Sequence, residues 1–149
     1  MTLIDHVTNA GALPSLGMTI QFAARRQDLL AHSIANISTP RFQQRDVSTA
    51  AFQATLGEAI ERRRAATGGA SGDLRLGTSR EVGFDRSGAL RLTPRSSGGR
   101  HGVMAHDRNN RDLEQLMQDV AENVGVFRTA TELMRSRAGT LRAAITERP

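Results

Sequence analysis

The sequence predicts a mainly α protein. Two long terminal helices form an antiparallel coiled-coil-like pair, and a flexible Gly/Arg-rich middle has room for a small β-hairpin. Three observations predict it. Apolar residues near both ends recur at alternating steps of four and three, which marks one stripe of a helix. The excess positive charge is confined to the middle, where 11 Arg stand against 4 acids; residues 1–61 hold 4 Arg and 5 acids, and residues 112–149 hold 5 Arg and 6 acids. The middle also holds 9 of the 14 glycines, a composition that buries little apolar surface. Three segments follow: an N-terminal helical segment (1–61), a flexible basic middle (62–111) and a long C-terminal helix (112–149), the two ends together making one assembly domain.

The first helix lies within residues 16–37. Leu16, Ile20, Ala23, Gln27, Leu30, Ile34 and Ile37 form its seam, six of the seven apolar. Pro14 and Ser15 suit a helix start, with Ser15 a candidate N-cap. Arg25, Arg26 and Asp28 fall off the seam, where charge costs little. Pro40 stops the helix, because proline also pushes the preceding Thr39 out of the helical region. Phe42 to Ile60 reads as a loop followed by a weak helix, whose best stripe is Val47, Ala51, Ala54 or Thr55, and Glu58. Leu74-Arg75-Leu76 and Gly88-Ala89-Leu90-Arg91-Leu92 alternate apolar and polar, as two short strands around a turn at Asp85-Arg86-Ser87-Gly88 would.

The C-terminal seam is longer. Leu113, Met117, Val120, Val124, Phe127, Thr131, Met134, Ala138, Leu141 and Ile145 keep one unbroken frame, nine of the ten apolar. Asn109 or Asn110 can cap the helix, Asp112 and Glu114 suit its positive N-terminus, and Arg135, Arg137, Arg142 and Arg148 its negative end. At 1.5 Å per residue such a helix is about 50 Å long. Gly125 and Gly139 share a stripe beside the seam; either a neighbouring helix approaches there or the pair is fortuitous. A narrow seam stabilises nothing until it meets another. Leu30, Ile34 and Ile37 are therefore expected to pack against Val120, Val124, Phe127 and Met134, or against their equivalents in neighbouring subunits.

Composition narrows the function. The 149 residues include no Cys, no Trp, no Tyr and only five Phe. This excludes disulfides, thiolate nucleophiles and thiolate metal sites, and argues against a large enzyme core built on aromatic bulk. No apolar run approaches the roughly 18 residues of a membrane span, and Met1 to Leu16 lacks the basic start and apolar block of a cleaved signal peptide. Every one of the 20 basic residues is Arg.

The stretch Leu30-Ala31-His32-Ser33-Ile34-Ala35-Asn36-Ile37-Ser38-Thr39-Pro40-Arg41-Phe42, preceded by Arg26-Gln27-Asp28-Leu29, resembles the N-terminal motif of flagellar rod and hook proteins. That motif runs from a leucine through Ile-Ala-Asn to Thr-Pro-Gly and an aromatic. Asn110-Arg111-Asp112-Leu113-Glu114 with Met117, then Ala121-Glu122-Asn123 and Phe127-Arg128, is similar to the family's C-terminal signature. The resemblance covers about residues 25–45 and 109–145. Arg41 stands where the family usually has Gly, Ser33 where Asn is common, and Arg111 where Val is usual, so the turn after Pro40 is open to a different geometry. The resemblance, together with the short chain, implies a structural subunit of the proximal basal-body rod. It implies export by the flagellar type III apparatus without a cleaved signal peptide. It also implies self-association and helical stacking with other rod proteins and the membrane-ring junction in the periplasm. Asn36, Thr39, Pro40 and Phe42 then form a turn that directs the chain away from the helix. Asn36 tolerates the left-handed conformation and can close the helix end.

Other chemistries are thinly represented. His32 and Asp28 lie four apart beside Ser33, with no third partner or oxyanion loop. His101, His106 and Asp107 sit in a Gly-rich stretch without metal-ligand spacing. Gly68-Gly69-Ala70-Ser71-Gly72 lacks the Lys of a phosphate loop. No catalytic residue, cofactor or metal is expected. The alternative is a helical protein binding nucleic acid or an anionic surface nonspecifically through Arg62-Arg63-Arg64 and the basic middle. It lacks interleaved aromatics for base stacking and any groove-reading motif, so no specific nucleic acid is expected.

Overall fold

The computed structural model describes residues 11–69, 71–86, 88–96 and 113–146. In chain order these form α1 (Leu13–Ala35), β1 (Arg45–Asp46), α2 (Thr49–Thr67), β2 (Val82–Phe84), β3 (Leu90–Leu92), β4 (Arg95–Ser96) and α3 (Leu113–Thr146). The fold is mainly helical, as predicted, with α1 and α3 packed together. Their directions are opposed: Met134 reaches to 3.6 Å from where a Cβ on Gly17 would stand, while Asp119 lies beside Arg26. The proposed caps Asn109 and Asn110, and His101, His106 and Asp107, lie outside the described residues.

α1 begins with Ala12 at the N-cap and Pro14 in the first turn, where a missing N–H costs nothing. Ser15 does not cap it. Its hydroxyl lies inside the first turn and donates to the Ala12 carbonyl at 2.8 Å. α2 is a full helix of 19 residues where the sequence reading gave a weak one ending near Ile60. Ser48 caps it by accepting from the Ala51 N–H, and Gly68 closes it at φ 70, a left-handed position that glycine fills at little cost. Its buried stripe is Phe52, Ala59 and Arg63, with Leu56 and Ile60 half-buried. The weak stripe of the sequence reading started from Val47 and missed this face by one position.

The hairpin pairs different strands from those predicted. β3 pairs antiparallel with β2, Val82 opposite Leu92 and Phe84 opposite Leu90. A loop as tight as the one closed by the Asp85 N–H to Ala89 carbonyl bond joins only adjacent strands, and Gly83 hides the alternation of Val82 and Phe84. Leu74 and Leu76 are buried in the core without a ladder. A second pair, β1 with β4, sets Asp46 opposite Arg95.

One apolar cluster holds these elements together: Phe22 from α1, Val47, Phe52 and Ala59 around α2, and Leu74, Leu76, Val82 and Leu90 from the segment 62–111. The Phe22 and Phe52 rings stack with centroids 4.0 Å apart, worth about 1 kcal/mol beyond their burial. Polar bonds close the edges: Glu81 accepts from the Ser48 N–H at 2.8 Å, and Gln21 from the Leu90 N–H at 3.4 Å. No residue of α3 belongs to this cluster. α3 meets the rest of the protein mainly along the other face of α1.

Candidate assembly interface

The seam of α1 faces α3. Leu30 is buried and Leu16, Ile20 and Ile34 are half-buried. Ile37 lies beyond the helix end, half-buried in the turn. On α3 the predicted seam divides. Val120, Val124, Met134 and Leu141 are half-buried, while Leu113, Met117, Phe127 and Ile145 are exposed, Ile145 by 58%. The buried line of α3 is instead Leu116, Asn123 and Ala130. It runs at steps of seven, one residue ahead of Met117, Val124 and Thr131. One residue is about 100° around a helix, so the start of the predicted seam points to the side of α1 rather than at it.

Two polar groups sit in this contact. Asn123, 4% exposed, donates from its amide nitrogen to the Ala23 carbonyl at 2.9 Å and to Gln27 Oε1 at 2.8 Å. Gln27 is the single polar member of the α1 seam, and Asn123 answers it. Arg26 is nearly as buried. Its Nε and Nη2 bond both carboxylate oxygens of Asp46 at 2.7–3.2 Å, and Asp119 stands 3.8 Å away. Burial by itself works against the guanidinium charge. The hydrogen bonds and charge of Asp46, with the charges of Asp119 and Glu122, outweigh it and raise the Arg26 pKa above the ordinary value. Arg26 therefore stays charged, and one cation joins α1, β1 and α3.

Asp46, Asp119, Leu116 and Ala130 escape the sequence pattern, in which Arg26 reads as a surface charge and Asn123 only as part of the C-terminal signature. The legible signal was the lone Gln27: a polar residue in one seam calls for a polar residue opposite.

Local hydrogen bonds build the turn after α1. Asn36 closes the helix with its side-chain nitrogen on the His32 carbonyl at 2.8 Å. The Thr39 N–H then bonds the Asn36 carbonyl, and the Phe42 N–H the Thr39 carbonyl. Phe42 folds back onto His32, the rings 5.7 Å apart. Asn36 is not left-handed, at φ −106 and ψ 8; the left-handed residue is Arg41, at φ 62. Pro40 followed by a positive φ, inside a bond from Phe42 to Thr39, is the pattern of a type II turn, whose third position favours Gly. The Arg41 substitution thus leaves a positive φ where Gly would have supplied one, at a steric cost of about 1 kcal/mol. Arg41→Gly is expected to raise stability by roughly that amount, read as a higher urea midpoint at unchanged slope.

Every exposed large apolar residue among those described lies on α3: Leu113, Met117, Val126, Phe127, Leu133 and Ile145. They flank the buried line on both sides, so α1 covers only the centre of a wide apolar arc. A Cβ at Gly125 or Gly139 would meet nothing within 4 Å, so no other part of the described chain approaches that stripe. Among the described residues no three His, Cys, Asp or Glu side chains stand close enough to hold a metal ion, and no helix is long and apolar enough to cross a membrane.

The site is thus a surface for helix packing: an internal helix pair with an apolar arc left open beside it. No protein-family model matches the chain. The chain is similar to a flagellar basal body rod protein, FlgB, of Borrelia hermsii, with 28% identity over 109 residues, covering 72% of this chain and 76% of that protein.

Proposed function

We propose that this chain is a structural, non-enzymatic subunit of the bacterial flagellar basal-body rod, placed in its proximal part. The observation that carries the reading is the similarity to FlgB. The turn from Asn36 to Phe42 and the open apolar arc of α3 support it. In this reading the arc is covered by neighbouring rod subunits, and the α1–α3 pair forms the packed wall of the rod. The subunit is exported by the type III apparatus and works in the periplasm with other rod proteins and the ring junction. It needs no cofactor.

Deletion of the gene is expected to leave cells without flagella in electron micrographs, and a complementing copy to restore them. Normal flagella in the deletion strain, with no duplicate gene present, would overturn the reading. A complementing copy carrying Met117→Asp and Phe127→Asp is expected to fold, since both positions are exposed, and to be exported, yet to build no rod.

A further inference from the structure

We infer that Asn123 selects the register of α3 on α1, acting as a positioning residue for the helix pair. The apolar pattern of α3 does not define that register. Leu113, Val120, Phe127, Met134 and Leu141 lie seven apart, and so do Met117, Val124, Thr131, Ala138 and Ile145. Sliding α3 by seven residues exchanges one member of either row for another and leaves both essentially apolar. Only the central buried row changes character along its length, from Leu116 to Asn123 to Ala130. In the observed register the buried Asn123 amide meets the Ala23 carbonyl and the Oε1 of the half-buried Gln27. A slip in one direction brings Ala130 there, and in the other Leu116. Either leaves Gln27 facing a side chain that cannot donate.

Arg26 does not settle the choice alone. Its hydrogen bonds run to Asp46, which is not on α3, and Asp119 at 3.8 Å is too far for one. Asn123 discriminates in both directions. A lone buried polar residue is the known means of fixing register where apolar repeats are degenerate. Its role is selection, since an apolar residue there would pack at least as favourably.

The chain has no cysteine, so spin labels go only where they are placed. Ala24→Cys and Arg128→Cys, both at exposed positions, report the offset between α1 and α3 by double electron–electron resonance on the full chain. The parent pair is expected to give one distance. Asn123→Leu is expected to keep its helix content while adding a second population, from helices displaced axially by about 10 Å. Moving the amide one step along its row, in Asn123→Leu/Ala130→Asn, is expected to make the displaced population dominant. A single unchanged distance in both variants overturns the inference. So does loss of helix content in both Asn123→Leu and the smaller Asn123→Ala, because Asn123 would then be supporting the fold rather than choosing between registers.

Discussion

Asp46→Ala is expected to destabilise the fold by about 3 kcal/mol, because it strands a buried cation. Arg26 is 5% exposed and holds both Asp46 oxygens. Asp119, at 3.8 Å, is too far for a hydrogen bond and does not replace them. The loss is set by the desolvated guanidinium left behind, and the pair itself adds less than that. Two consequences separate these terms. Arg26→Met/Asp46→Leu, which removes both charges, is expected to recover most of the stability. Arg26→Met alone is expected to cost less than Asp46→Ala, because Asp46 is a quarter exposed and water can take up its charge. Urea unfolding of the four proteins gives the cycle. Equal losses in both single variants, with no recovery in the double, would show that the pair is not coupled.

Leu30→Asp is expected to have the larger effect. Leu30 is 1% exposed and is one of the two largest fully buried side chains among the described residues. It lies on the α3 side of α1, outside the main cluster. Replacing leucine there removes about 2–5 kcal/mol of packing, and the carboxylate adds the cost of a buried charge without a partner. Against a stability of about 5–15 kcal/mol for a small domain, α3 is expected to leave α1. The measurement is amide exchange: protection should be lost along α3 and retained in α2, whose cluster does not include Leu30. Protection kept in α3 would contradict the described contact.

The two long helices were legible because each repeats an apolar stripe over several turns, a signal that adds with length. On α1 the stripe Leu16, Ile20, Ala23, Gln27, Leu30 and Ile34 is buried or half-buried, while Ile37 lies past the helix end. On α3 the apolar arc is wide enough for more than one frame, and a search for apolar periodicity steps over Asn123, so the frame chosen started one residue late. The core of the middle was illegible for a different reason. Leu74, Leu76 and Val82 lie among glycines and arginines, and their burial depends on Phe22 and Phe52, tens of residues away in sequence. Local composition carries no trace of such contacts. The turn was visible as Asn36, Thr39 and Pro40, but its left-handed position fell on Arg41, where propensity alone would not place it.

α1 shows one face to the apolar cluster and the other to α3, and this fixes how the protein carries load. A pull along the axis of α3 reaches the apolar cluster through α1, with Arg26 as the joint between helix, strand and helix. Loaded in that direction, the contacts along the antiparallel pair resist sliding together, as rivets in a lap joint do. A pull that lifts α3 sideways opens them one at a time. The pair is therefore stiff along its length and weak to peeling.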